Sequence, residues 1–444
     1  MLPQYFWSVT RCTGTFMRRC IVPCAGLSLI SGASAQGVQT FETIEVQGAE
    51  FIPEHDIQMT CGAVEGVPYL TIELRAIEDC LMSTGVFETV KLIPNGETLV
   101  IAVKEVNTRP GRVEASLSYA SQDGLIGGLF FERYNLLPDT YGSVRLEYNP
   151  EVKRGGGRLY RTDVLGSDFD LGVKLGWEEL SFDDSSYSKE TKQLETYLAW
   201  MPSQKTRLEM GVGYRDYRLF DVDDDASALL VSEQTLGISA PFLRFALNHS
   251  SLSEEENGWG TWEYSVGIDQ YFWNLGTDDS LSDFRFESRS YVPLGQMWRM
   301  LVSLDAGRVS SLDGNNATRV IDRFAPGGGS FRGFAPRGVG PHDNGDALGG
   351  NTFAVSSIEI QGNFEDVVNV PLVGGVFLDT GASWALDDTL GGVIDDGFHR
   401  RSSVGLSLAF EVGRAPVSLF VAKPIDKQDG DKEQVFGLRL STAF

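Results

Sequence analysis

The 444-residue sequence holds little of the material from which most enzyme sites are built. It has four histidines and five cysteines, and it lacks the G-x-S-x-G elbow of hydrolases, the G-x-x-x-x-G-K phosphate loop and the H-E-x-x-H metal motif. Histidine and cysteine supply most zinc ligands and many catalytic nucleophiles and bases, so their scarcity argues against a metal or thiol enzyme. We therefore expect a protein that is not an enzyme and that needs no cofactor.

Positive charge is also scarce. Lysine and arginine number 37 against 61 aspartates and glutamates, which gives a net charge of −24. Nucleic acid is bound by basic surfaces, so it is not expected as a partner.

The apolar stretch at residues 21–30 is too short for a membrane-spanning helix, which needs roughly 20 residues. A hydrophobic content of 42% nevertheless excludes a disordered chain.

Residues 1–35 have the pattern of a secretory signal peptide. Arg18 and Arg19 precede a short apolar run, which is followed by small residues that end in an A-x-A sequence. This order of basic, apolar and small residues predicts export and cleavage after Ala35. Met17 is an alternative start, because the residues before it are unusual for the basic segment of a signal.

Two cysteines would remain in the exported chain. Cys12, Cys20 and Cys24 lie in the predicted signal peptide, so Cys61 and Cys80 would be left. A lone pair in an oxidising compartment can form one disulfide. Two buried free thiols are the alternative, and both interpretations stay open at this stage.

Residues 40–106 read as a small α/β domain. A short strand is followed by two helical stretches, the second over residues 71–83. Asn95-Gly96 then separates two strand-like runs, which is a strong signal for a β-hairpin. Four apolar residues of the second helix are predicted to share one face: Leu74, Ile77, Leu81 and Met82.

Residues 111–444 repeat one pattern, in which every second residue is apolar and the residues between are polar or glycine. The pattern is clear at residues 169–178, 207–215, 404–410 and 436–444. Period two places the two sets on opposite faces of a sheet, so both a soluble β-sandwich and a membrane barrel satisfy it. Segments of about 9–12 residues, the length of a tilted membrane-spanning strand, favour the barrel.

Aromatic residues and acidic inserts support the same interpretation, and the count of segments predicts an all-β membrane barrel of about 16 antiparallel strands. The aromatics expected to form an interfacial girdle are Trp177, Tyr214, Tyr217, Trp262, Tyr264, Tyr271 and Trp273. The inserts expected to be solvent-facing loops are residues 182–190, 220–228, 251–258, 308–350 and 386–400.

The insert at residues 308–350 holds an unusual glycine-rich motif. Residues 330–334 read SFRGF and place Arg332 next to aromatic residues. Glycines allow such a loop to fold tightly, so it could enter the barrel lumen. There the arginine would be expected to form an ion pair with a carboxylate. An ordinary glycine-rich surface loop is the alternative interpretation.

This motif and its surroundings resemble the BamA/TamA outer-membrane assembly superfamily, which includes two-partner secretion proteins (the bacterial surface antigen family). The SFRGF motif resembles the motif in the sixth extracellular loop of that family, and residues 40–106 resemble its periplasmic POTRA domain. The other matching stretches are residues 346–351, 357–359, 376–381, 401–405, 422–424 and 434–444.

The resemblance implies a latch, in which the motif arginine meets acidic residues on the barrel wall. The residues carried over to the latch loop are Phe331, Arg332, Gly333 and Phe334, with Glu359 and Asp379 as partners. It also implies a C-terminal signal for barrel insertion at Phe436, Leu438, Leu440 and Phe444. The first and last strands, about residues 112–121 and 435–444, would form a seam that opens sideways.

The function implied by the resemblance is assembly, insertion or translocation of other outer-membrane proteins, with client strands templated at that seam. A two-partner-type secretion pore for a dedicated exported protein is the alternative, and a passive porin would need neither motif nor POTRA domain. The expected partners are unfolded outer-membrane or secreted proteins, outer-membrane lipid, and periplasmic or lipoprotein accessory factors. The expected location is the bacterial outer membrane, with the POTRA-like domain in the periplasm.

Overall fold

A computed structural model of the chain describes residues 39–443 with several gaps. The gaps are residues 50–51, 85, 106–110, 122, 138–139, 167, 204, 235–236, 253–258, 315–317, 366–370 and 413–414. The predicted signal peptide and Phe444 therefore lie outside the described residues. None of the helices within the described part is long and apolar enough to span a membrane.

The N-terminal region forms a small α/β unit. Its elements are β1 (Gln39–Thr40), β2 (Thr43–Gln47), α1 (Glu54–Thr60), β3 (Pro68–Tyr69), α2 (Thr71–Ser83), β4 (Phe87–Asn95) and β5 (Thr98–Glu105). Strand β5 is central, with β2 parallel on one side and β4 antiparallel on the other. The two helices and the sheet enclose an apolar core that includes Ile57, Leu81 and Ile101.

Helix α2 buries three of the four residues predicted for its inner face. Leu74, Ile77 and Leu81 are buried, whereas the Met82 side chain is 39% exposed. Each residue of an α-helix is rotated by about 100° from the one before it. Met82 therefore points away from its neighbour Leu81, and its assignment to the inner face was wrong.

The Sγ atoms of Cys61 and Cys80 are bonded, which ties the end of α1 to α2 across 19 residues of sequence. A link that closes a loop of roughly this length stabilises a fold by about 3 kcal/mol.

We expect dithiothreitol to raise the rate of trypsin cleavage at Arg75 in α2 at least severalfold in the full-length protein. A Cys61→Ser, Cys80→Ser variant is the control, because its cleavage should be fast with and without the reductant. Equal cleavage of the native protein in both conditions would contradict the prediction.

The rest of the chain is β-structure with one short helix. The elements are β6 (Gly111–Ala120), β7 (Gly124–Leu137), β8 (Thr140–Tyr148), β9 (Val152–Arg161), β10 (Phe169–Leu180), β11 (Ser188–Ser203), β12 (Thr206–Phe220), α3 (Ala228–Gln234), β13 (Ile238–Ser250), β14 (Glu263–Trp273), β15 (Leu281–Pro293), β16 (Trp298–Ser311), β17 (Gly333–Phe334), β18 (His342–Asp343), β19 (Asp346–Ala347), β20 (Thr352–Asn363), β21 (Leu372–Trp384), β22 (Arg401–Val412), β23 (Ala415–Asp426), β24 (Glu433–Gln434) and β25 (Phe436–Ala443). All of these strands except β17, β18, β19 and β24 close one antiparallel barrel of sixteen strands.

The two faces of the barrel differ as the alternation predicts. The outer face exposes large apolar side chains, for example Val113 at 73% and Leu406 at 61%. Charged side chains line the inner face and pair there, as Arg244 does with Glu209 and Asp269. An apolar outer belt around a polar interior is typical of barrels that span a membrane.

Part of the predicted aromatic girdle faces the lumen instead. Tyr217 and Trp273 are 1% and 5% exposed, and their rings lie 3.9 and 4.1 Å from the Arg215 guanidinium carbon. Tyr271 stacks on Trp273 with ring centroids 4.3 Å apart. These three residues were wrongly assigned, because being near a strand end does not show which face a side chain is on.

Successive strands alternate in direction, so their connections alternate between the two ends of the barrel. We call the end at which β6 begins the near end, and the opposite end the far end. Four connections meet at the far end in what we call the cap: residues 181–187, 221–237, 312–351 and 385–400. Leu230, Val320, Leu348 and Ile394 form its apolar core. These inserts are therefore packed against one another rather than only facing solvent.

A buried ion pair fastens two parts of the cap together. Arg323 donates from Nη2 to Glu233 Oε1 over 2.8 Å, and Val320 N donates to Glu233 Oε2 over 2.9 Å. The pKa of the Glu233 carboxyl lies above its ordinary value, because the effect of burial exceeds that of the nearby Arg323 charge, which lowers it. Helix α3 is thereby joined to the connection that carries the SFRGF motif.

Candidate functional site

The SFRGF motif lies in the connection of residues 312–351, between β16 and β20. Its last two residues form β17, which pairs with β24 in the register Gly333 to Gln434 and Phe334 to Glu433. Ala335 N also donates to Lys432 O over 2.8 Å. The motif is therefore held by backbone hydrogen bonds to the segment that directly precedes the last barrel strand.

Arg332 is the polar centre of the motif. Its Nε and Nη2 atoms donate to the two carboxylate oxygens of Asp379 over 2.9 and 2.8 Å, and its Nη1 donates to Glu359 Oε2. The Arg332 backbone N–H also donates to Asp379, over 3.2 Å. The structure thus brings the three residues of the implied latch together on the inner wall formed by β20 and β21.

Both carboxylates have further partners, which is what their burial requires. Asp379 and Glu359 are 2% and 4% exposed. Ser357 Oγ accepts from Arg332 Nη2 over 2.8 Å and donates to Asp379 over 2.6 Å. Ser407 Oγ donates to Glu359 over 2.6 Å. A buried group of charges is stable only when it is hydrogen-bonded in this way, so the geometry is that of a fixed attachment.

The aromatic residues of the motif anchor it from the other side. Phe331 and Phe334 are fully buried with ring centroids 4.6 Å apart, and they pack with Val339 and Val355. Gly333, between them, has φ of +97°, and a Cβ there would lie 2.8 Å from the Ser403 Cβ. Any other residue would meet both backbone strain and the wall of β22.

Sequence reasoning missed several residues that complete this site. The Arg332 guanidinium carbon lies 3.3 Å from the centre of the Phe377 ring, and Ser403 Oγ donates to the Arg332 carbonyl. Ser407 bridges to Glu359 from a third strand. Alternation places Phe377 on the same face as Asp379, but the stagger between neighbouring strands decides which serines reach the arginine. That stagger cannot be read from the sequence.

The barrel closes between β25 and β6, at what we call the seam. Within the described residues this ladder pairs five residues, from Arg439 with Ala120 to Ala443 with Ser116. On its other side β25 also pairs five residues with β23. Every other pair of neighbouring barrel strands has eight or more pairs. The last strand therefore has the shortest ladders in the described barrel.

The comparisons with known proteins identify the family. The family model for the Omp85 superfamily domain matches residues 113–444. The chain belongs to the Omp85 superfamily. It is accordingly a β-barrel of the bacterial outer membrane that resembles BamA.

This Omp85 barrel has distant relatives along most of its length. It is 23% identical over 381 residues to the outer membrane protein assembly factor BamA of Neorickettsia risticii, covering 82% of this chain and 50% of the relative. The BamA of Nitratidesulfovibrio vulgaris is 24% identical over 409 residues, covering 87% and 49%. The chain thus spans about half the length of these relatives.

A solved structure shows the same fold. The crystal structure of BamA from Haemophilus ducreyi lacking POTRA domains 1–3 superposes with a TM-score of 0.75 at 19% identity. The match covers 91% of this chain and 84% of that one. The sixteen-strand barrel with a small N-terminal α/β region is therefore the fold expected of an Omp85 protein.

Other predicted site residues of this Omp85 protein lie apart from the latch. Leu438 and Leu440 face outward on β25 together with Phe436, whose side chain is half exposed. The remaining member of the implied insertion signal, Phe444, lies outside the described residues. Among the described residues no group of three or more histidine, cysteine, aspartate or glutamate side chains is placed to hold a metal ion.

Proposed function

We propose that this Omp85 barrel inserts other proteins into the outer membrane, and that client strands pair at the seam. The observation that carries the proposal is the short ladder of β25, with five residue pairs on each side. Each hydrogen bond of such a ladder contributes only about 0.5–1.5 kcal/mol net. Separating β25 from β6 therefore costs less than opening the barrel at its longer ladders.

The seam also leaves part of β6 available. The ladder with β25 covers Ser116 to Ala120, and Gly111 to Ala115 have no strand partner on that side in the described part of the chain. Unpaired backbone N–H and C=O groups are costly at the edge of a membrane barrel. An incoming client strand would satisfy these groups by adding to the edge, which is how extended peptides bind to sheets.

The latch would act by fixing the wall beside the seam. Arg332 joins β20 and β21, its carbonyl is bonded to Ser403 on β22, and β17 pairs with the segment before β25. We propose that these contacts hold the last strands in register when no client is present. Their release would loosen β25 first, because it has the shortest ladders.

The N-terminal unit would receive clients before they reach the barrel. We propose that residues 40–106 are a POTRA domain in the periplasm and that residues 111–444 are the barrel domain. The sheet of the N-terminal unit has two edges, β2 and β4, because β5 is central. Either edge can pair with an extended client segment or with an accessory protein.

The relatives support this proposal through their name. Both are outer membrane protein assembly factors, although this chain spans about half of their length. The test is depletion of the protein followed by quantitative proteomics of the outer membrane and the culture medium. Loss of many barrel proteins would support insertion. Loss of one secreted protein with an unchanged membrane would instead support the alternative, a secretion pore for a dedicated partner.

A further inference from the structure

The latch carboxylate Glu359 is joined to a second arginine toward the near end of the barrel. Gln361 Nε2 donates to Glu359 Oε1 over 2.9 Å, and Gln361 Oε1 accepts from Arg299 Nε over 2.7 Å. Arg299 and Gln361 face each other on β16 and β20, and Gln361 lies two residues from Glu359 on the same inward face. A continuous series of hydrogen bonds therefore links Arg332 of the latch to Arg299.

Two aromatic rings orient Arg299 at the near end. Its guanidinium carbon lies 4.2 Å from the centre of the Trp259 ring and 4.6 Å from that of Tyr291. Tyr291 is part of the barrel wall on β15, whereas Trp259 belongs to the connection of residues 251–262 between β13 and β14. A guanidinium is attracted to the face of an aromatic ring, so the place of the Trp259 ring influences how Arg299 is oriented.

The amide of Gln361 makes this series sensitive to both of its ends. An arginine can only donate hydrogen bonds and an ionised carboxylate can only accept them. One orientation of the Gln361 amide therefore satisfies Arg299 and Glu359 together, with its oxygen toward the arginine and its nitrogen toward the carboxylate. A change at Arg299 is felt at Glu359, because the amide cannot turn without losing a contact.

We propose that Trp259, Arg299 and Gln361 position Glu359 for the latch, so that the latch responds to the connection of residues 251–262. When the Trp259 ring withdraws, Arg299 loses one of the contacts that orient it, and Gln361 holds Glu359 less firmly. The connection is at the near end, where the chain of the N-terminal unit enters the barrel, whereas the SFRGF motif comes from the far end. The inference rests on the proposed function, because it assumes that the latch is released during insertion.

A cysteine at position 403 can report release of the latch. Ser403 is fully buried, and its Oγ donates to the Arg332 carbonyl. In a Ser403→Cys protein the thiol should react with a small maleimide only when the motif has left β22. The labelling rate is measured on the purified full-length protein in detergent micelles, with the parent protein as background. Cys61 and Cys80 are bonded to each other and do not compete for the reagent.

In this reporter protein, Trp259→Ala and Gln361→Leu should each raise the labelling rate about fivefold, the size expected for loss of one partly buried cation–π contact or hydrogen bond. The double variant should label no faster than the faster single variant, because both changes interrupt the same series. Trp262→Ala is the matched control from the same connection. Its ring is 62% exposed and bonded to Ser290, so the rate should not change. An unchanged rate in Trp259→Ala, or multiplied effects in the double variant, would overturn the proposal.

Gln361→Glu separates positioning from packing. The new side chain has the same size and can still accept from Arg299, but it repels Glu359 and cannot donate to it when ionised. Labelling should therefore be as fast as in Gln361→Leu, and a native rate would show that only packing matters. If depletion supports insertion but Trp259→Ala labels at the native rate, this inference fails while the function stands. Fast labelling of Trp259→Ala with unchanged client insertion would instead support the positioning role and count against latch release in the proposed function.

Discussion

Arg332→Ala is expected to leave the barrel in the outer membrane but to lower the temperature at which it unfolds. Client insertion is expected to fall severalfold. The substitution removes the cation that pairs with both Asp379 and Glu359, which are 2% and 4% exposed. Removing one partner of a buried ion pair costs about 3–5 kcal/mol, because the remaining charge stays buried. The measurement is the temperature at which the folded band disappears on semi-native gels, together with client levels in the membrane.

Matched variants show whether charge or packing is responsible. Arg332→Lys keeps the charge but cannot bridge Asp379 and Glu359 with a planar fork, so it should recover only part of the heat resistance. Combining Arg332→Ala with Asp379→Asn and Glu359→Gln should also recover part of it, because no buried charge is left unpaired. Arg337→Ala is the control from the same connection, where the arginine pairs with the exposed Asp184. An Arg332→Ala protein with native heat resistance and full client insertion would contradict the latch.

The barrel could be predicted from the sequence because its two faces meet different solvents. In β10, alternation from Phe169 to Trp177 puts apolar side chains toward lipid and Asp170 and Lys174 toward the lumen, and the structure has the strand there. The count of about sixteen strands was right for the same reason. The cap was not predicted, since α3 and the core around Leu230 come from contacts between inserts that are distant in sequence.

The candidate site was accessible only in part. The motif and its resemblance to a family pointed to Arg332, Glu359 and Asp379, and the structure brings these three together. Neither the motif nor the resemblance showed that β17 pairs with β24, because strands of two residues leave no periodic pattern in the sequence.

A disulfide across the seam is expected to abolish client insertion if the seam must open. Tyr119 pairs with Leu440 across β6 and β25. By the alternation of the strands both side chains lie on the outer surface of the barrel, and that of Tyr119 is exposed. Paired residues of antiparallel strands lie about 4.5–5.5 Å apart at their Cα atoms, within the range of disulfides. A Tyr119→Cys, Leu440→Cys variant should therefore cross-link under oxidation. We expect new insertion of clients to fall at least tenfold, and dithiothreitol to restore it to the level of the unsubstituted protein treated with the same reductant, in which the Cys61–Cys80 bond is also reduced.

A second cross-link tells loss of seam opening apart from loss of barrel flexibility in general. Leu171 pairs with Leu198 across β10 and β11, a ladder of twelve residue pairs that the proposed mechanism never opens. A Leu171→Cys, Leu198→Cys variant should cross-link as completely and still insert clients at the native rate. If the oxidised seam variant also inserts clients normally, separation of β25 from β6 is not part of the reaction. Clients would then have to pass through the lumen, which would favour a secretion pore over an insertion factor.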